Sequence, residues 1–167
     1  MPVAGKCQVA FGATFPLRDF SGRTESLSGE FVTDPSDLRQ GATGILRISV
    51  TGLRTGVDGR DRDMWKALEA ERFPQVRFAV EHVEPSFHSV TDKADVLLTI
   101  RGQMVIRNVE RPMTFLGRVR FRDERLWVRG ESTLRMTDFG ITPPKRFFLA
   151  VRDQVTVSFD LTLAPAE

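Results

Sequence analysis

Residues 94–106 read ADVLLTIRGQMVI. Val96, Leu98, Ile100, Met104 and Ile106 fall on one parity, with Gly102 between them. An apolar period of two marks a strand with one buried face, because successive side chains leave a strand on opposite sides. The pattern continues outward in both directions. Residues 7–17 group Cys7, Val9, Phe11, Ala13, Phe15 and Leu17, and Leu27, Gly29 and Phe31 follow a turn expected at Ser21-Gly22. Residues 42–53, ATGILRISVTGL, set Leu46, Ile48 and Val50 against Arg47, Ser49 and Thr51. Val76, Phe78 and Val80 form the next set, then Met113, Phe115, Val119 and Phe121. Leu126, Val128, Leu134 and Met136 come next, and Val155, Val157, Phe159, Leu161 and Leu163 close the series.

These runs predict an all-β chain of about eight strands, several longer than the usual ~5–6 residues. Long amphipathic strands in chain order form an antiparallel meander, and closing it into a barrel removes its exposed edges. A barrel of about eight strands is filled by its own side chains or holds one slim ligand. Gly29, Gly102, Gly117 and Gly130 suit strand bends or close approaches. One segment breaks the period. Residues 62–71, RDMWKALEAE, are good helix formers with Met64, Trp65 and Leu68 on one face. Asp61 or Asp63 would cap this short helix, and Pro74 stops it. Its apolar face is expected to cover one end of the barrel.

At 167 residues the chain is read as a single domain, 1–167, with no linker or internal repeat. The net charge of +2 is spread along the chain rather than gathered in a stripe, which argues against nucleic-acid binding. Cys7 is the one cysteine, so the fold needs no disulfide. No apolar run is long enough to span a membrane. The N-terminus lacks a leader pattern, which predicts a cytoplasmic location as written, or a periplasmic or secreted one if a leader had been removed. There are 13 Phe and no Tyr, which suits a dry interior because Tyr must satisfy its hydroxyl.

Asp58, Arg60, Asp61, Arg62 and Asp63 crowd into six positions. The spacing does not fit a calcium loop, and the two Arg neutralise the acids. Adjacent Arg also lower a carboxylate pKa rather than raise it, so the box reads as a solvated helix start. His82 shares the parity of Val76, Phe78 and Val80, which turns it inward, while His88 lies in a loop. The pair makes a poor zinc signature, and no metal site is expected. Residues 142–148, TPPKRFF, read as a loop with an aromatic tip that could touch a membrane transiently. No nucleophile elbow, phosphate loop or dinucleotide fingerprint occurs.

Four stretches in order resemble the YceI-like family of lipocalin-like barrels, which bind polyisoprenoids and related lipids. VAFGATFPLRDFSGRTESLSGEF (9–31) resembles its opening strand pair. LRTGVDGRDRDMWKALEAERFPQVRF (53–78) resembles its central turn, helix and strand. IRGQMVIRNVERPMTF (100–115) resembles a hairpin, with Arg107-Asn108 where the family usually has His-Gly. LRMTDFGI (134–141) resembles a late element. The resemblance implies an antiparallel eight-stranded lipocalin-like barrel with one long-chain isoprenoid or quinone-like lipid inside. It implies no cofactor and no catalysis, and it makes a homodimer plausible.

The expected cavity lining is Phe11, Phe15, Phe31, Ile48, Val50, Met64, Trp65, Leu68, Phe78, Val80, Leu98, Ile100, Phe115, Val128, Phe139, Phe147, Phe148, Val157 and Phe159. Two other readings stand beside the carrier. One is a self-filled barrel acting as a protein-interaction module. The other is an enzyme using the same barrel, for which His82 or Arg135 with Asp138 are the titratable candidates. A cavity of at least a few hundred Å³ would separate the carrier from the self-filled barrel.

Overall fold

The computed structural model describes residues 1, 7–15, 18–146 and 149–165; the side chains of Thr14, Phe15, Arg18, Arg146 and Leu149 fall outside that description. The chain runs β1 (Gln8–Phe15), β2 (Arg18–Thr24), β3 (Leu27–Thr33) and β4 (Ala42–Ser49). Helix α1 (Asp58–Ala67) follows, then β5 (Gln75–Pro85), β6 (Val96–Ile106), β7 (Val109–Arg122) and β8 (Arg125–Arg135). A two-stranded hairpin, β9 (Lys145–Arg146) and β10 (Leu149–Ala150), precedes β11 (Gln154–Leu163). Short 3-10 turns cover Leu38–Gln40, Val50–Gly52 and Met136–Phe139.

Nine strands form one curled antiparallel sheet in the order β2-β1-β11-β8-β7-β6-β5-β4-β3. Its two edge strands, β2 and β3, are consecutive and separated only by Glu25 and Ser26. The three Cα steps from Thr24 to Leu27 reach at most about 11 Å, so the sheet must curl to bring its edges together. Hydrogen bonds stitch the seam. Met1 pairs with Phe31 of β3, Arg54 exchanges both backbone bonds with Arg23 of β2, and Ser49 N–H donates to Ser26 O. Counted as one bent strand, β2 and β3 give the eight expected; as separate ladders they give nine. The expected turn at Ser21-Gly22 lies inside β2, paired with Gly12 and Phe11. Leu17 lies outside the described residues.

The period-two reading of the interior holds for β6 throughout, where Val96, Leu98, Ile100, Met104 and Ile106 are all buried. It fails in β5. The register slips between Val80 and His82, and the bulge restarts the inward parity at Val83. His82 is therefore turned out to solvent beside Glu84, not inward as its spacing suggested. The helix begins four residues earlier than expected, at Asp58, and ends at Ala67. It bridges β4 and β5, so it sits at the barrel end where β4 finishes. There Met64, Trp65 and Leu68 pack on the core, and Trp65 Nε1–H donates to Leu53 O at 3.0 Å.

Candidate functional site

Three phenylalanines cross the lumen. Phe115 of β7, 2% exposed, meets Phe78 of β5 edge-on at 5.0 Å between ring centres, and Phe159 of β11 at 5.3 Å. Edge-to-face rings at this separation are mutually attractive. On the α1 side of this layer the lumen is filled by Ile48, Val76, Met104, Ile106, Met113 and Phe139. On the far side it is open. A cavity of about 80 Å³ lies between the layer and the loops at the opposite end. Its walls are Phe31, Thr33, Leu38, Ala42, Leu46, Phe78, Val80, Val83, Leu98, Ile100, Val119, Leu126, Val128, Phe159, Leu161 and Leu163. Among these described residues Thr33 alone carries a polar side-chain atom. Such a wall offers a guest dispersion contacts and, Thr33 apart, no side-chain hydrogen-bond partner.

Of the residues expected to line a cavity, Phe31, Phe78, Val80, Leu98, Ile100, Val128 and Phe159 are brought together here. Phe11, Ile48, Val50, Phe115, Phe139 and Val157 lie in or against the packed half. Met64, Trp65 and Leu68 are at the α1 end, away from the cavity. The Phe15 side chain, Phe147 and Phe148 lie outside the described residues. Sequence reading missed the wall residues Thr33, Leu38, Ala42, Leu46, Val83, Val119, Leu126, Leu161 and Leu163. The apolar parity of β7, β8 and β11 carried the signal for four of these, but Leu38 sits in a 3-10 turn with no period to betray it.

The titratable candidates do not face this space. His82 is exposed, and Arg135 and Asp138 pair with each other at 3.1 Å on the surface. Cys7 is buried in the core, where its Sγ accepts from Thr162 N–H at 3.1 Å. Among the described residues, no helix is long and apolar enough to cross a membrane.

The charged box resolves into one buried acid and four outward neighbours. Asp61 is 1% exposed. Its Oδ1 accepts from Thr55 N–H at 2.7 Å and from Thr55 Oγ1–H at 2.6 Å, and Arg54 lies 3.8 Å from Oδ2. Burial pushes the Asp61 carboxyl up, but the Thr55 hydrogen bonds and the Arg54 and Arg60 charges together hold it below the ordinary 3.8. Neither Asp61 nor Asp63 caps the helix as expected: the N-cap is Val57, which offers no side-chain bond. Asp61 instead reaches back from the first turn and ties the helix to the strand exit. The ion-pair partner is Arg54, not Arg60 or Arg62 as expected; Arg60 instead lies over the Phe20 ring at 4.7 Å.

A second polar knot closes the same end. Arg107 and Asn108 form the two-residue turn between β6 and β7, both in the left-handed region, at φ 52° and 62°. The turn therefore survives the loss of glycine. Arg107 Nε–H donates to Glu69 Oε2 at 2.8 Å, and Nη1–H donates to Gly140 O at 2.6 Å. One guanidinium thus joins the hairpin, the chain after α1 and the end of the Met136–Phe139 turn.

A curled antiparallel sheet, one end helix and an apolar lumen define a small lipocalin-like β-barrel. The chain belongs to the YceI-like domain family, whose model matches residues 5–163. Burkholderia cenocepacia BcnA has the same fold, with a TM-score of 0.79 at 16% identity over 95% of this chain and 97% of that one. A polyisoprenoid-binding domain from Saccharophagus degradans, implicated in plant cell wall breakdown, gives 0.77 at 16% identity over 98% of both chains. The Campylobacter jejuni YceI protein gives 0.70 at 13% identity over 87% and 85%. No curated protein sequence matches the chain.

Proposed function

We propose that this barrel binds a long-chain isoprenoid lipid, a polyisoprenoid or a quinone-like molecule, and holds it without changing it. The observation that carries this reading is the cavity wall, in which Thr33 is the sole polar side chain among the sixteen described residues. Membership of the YceI-like family supports it, as does the shared fold with a polyisoprenoid-binding domain. Among the described residues the walls supply no titratable side chain, and the reading needs neither cofactor nor covalent step.

The energetics set a condition. Burying ten methylenes at ~0.8 kcal/mol each gives roughly 8 kcal/mol before ordering costs, which is about micromolar affinity. The cavity is about 80 Å³, well under the few hundred Å³ of a typical ligand pocket. Loading must therefore displace wall side chains, and that cost subtracts from the gain. The small volume is also the observation that favours the self-filled barrel.

A titration separates the two. Delipidated protein is titrated with a polyprenol and a long-tailed quinone, followed by calorimetry. Saturable one-to-one binding, with the negative heat-capacity change of apolar burial, is the expected result. An absence of binding to either lipid would leave the self-filled barrel.

A further inference from the structure

Phe159 meets Gly130 across the β11–β8 ladder as a directly paired residue. Its ring lies on the glycine. A Cβ placed at Gly130 would sit 2.7 Å from Phe159 Cζ and 2.8 Å from Cε1, closer than real contacts allow. The next atom, Leu116 O at 3.4 Å, is at ordinary contact distance. The ring alone therefore stands in the way. This distinguishes Gly130 from Gly102 and Gly117, where a Cβ would meet backbone oxygens at 2.0 and 2.4 Å. At Gly44 a Cβ would meet both the Phe31 ring and the Glu30 carbonyl oxygen.

We propose that Phe159, seated on Gly130, sets the width of the cavity and makes it accept a methyl-branched polyprenyl chain. The inference rests on the lipid-binding reading and names the specificity-determining pair within it. With no side chain at 130, the ring can retract fully against the wall. Any side chain there would lift it by several tenths of an ångström or more, toward the lumen it lines. An isoprenoid tail is wider than a straight alkyl chain at every methyl branch, so it needs that retraction. In a lumen with about 80 Å³ free, one displaced ring decides which chain passes.

The test compares geranylgeraniol with 1-hexadecanol, a straight alcohol of the same main-chain length. Each displaces cis-parinaric acid from the wild type, Gly130→Ala, Phe159→Leu and the double variant, with thermal melts alongside. With the ring held off the wall, Gly130→Ala should weaken geranylgeraniol by about tenfold or more. Hexadecanol should change less than about threefold. The double variant should regain geranylgeraniol binding, because removing the ring removes the obstruction. Equal losses for both alcohols, or a double variant no better than Gly130→Ala, would overturn the width assignment while leaving lipid binding intact. A wild type that binds neither alcohol would defeat the underlying lipid reading, and the width assignment with it.

Discussion

Asp61 shows how a charge run can hide one structural residue. Asp58, Arg62 and Asp63 are solvated, as a crowded charge box normally is. Nothing in the local pattern marks Asp61 as different, because its burial depends on Thr55 turning back over the first helical turn. Replacing Asp61 by Ala leaves two Thr55 donors unsatisfied and should cost about 2–3 kcal/mol in denaturant unfolding. The pH dependence has a fixed sign. The folded carboxyl titrates below 3.8, so its contribution is complete above that pH and is lost as pH falls through the lower folded value. Asp61→Asn should therefore melt earlier than wild type at neutral pH, with the gap narrowing below pH ~3.8. A gap that stays constant down to pH ~2 would contradict the assignment. Arg107 invites a parallel test. It makes charge-assisted bonds to Glu69 and Gly140 from a strained backbone. Arg107→Gly relieves the strain, worth up to about 1 kcal/mol, but loses the bonds; Arg107→Ala loses the bonds and keeps the strain. Ala should be the less stable of the two, and hydrogen exchange after α1 should quicken in each.

At the scale of the element, the strands were legible because a half-buried strand must alternate, and β6 does so without interruption. The hairpin at Arg107-Asn108 was legible for a similar reason, since Asn tolerates positive φ. The β5 bulge was not. One extra residue reverses the parity of everything after it, and Val80 and Val83 are equally apolar on either side. His82 was misplaced for that reason alone. His82→Ala should change stability by less than about 0.5 kcal/mol and leave lipid binding unaltered. The helix face was read correctly as apolar, but periodicity does not say which compartment that face touches. Trp65 anchors α1 through Leu53 O and lies under the Arg54 guanidinium at 4.5 Å, at the end opposite the cavity. Trp65→Ala should lower stability by about 2–3 kcal/mol while the folded fraction still takes up lipid.

Across the whole molecule, the barrel was legible and the division of its interior was not. Alternation shows which side chains share a face of the sheet, not which face looks into the lumen. It does not show that a layer of Phe78, Phe115 and Phe159 separates a packed half from an open one. That layer depends on register between strands distant in sequence, and on glycines that let the rings lie flat. Hence Ile48 and Leu46, two residues apart on the same face of β4, differ in role: Leu46 lines the cavity and Ile48 fills the packed half. The central claim is that the open half takes an isoprenoid tail. The most direct measurement is mass spectrometry of an organic extract of the purified protein, against a mock purification of matched cells. The account predicts one isoprenoid or quinone enriched in near-equal molar amount with the protein. An extract matching the mock, from protein that also fails to take up added polyprenol, would contradict it.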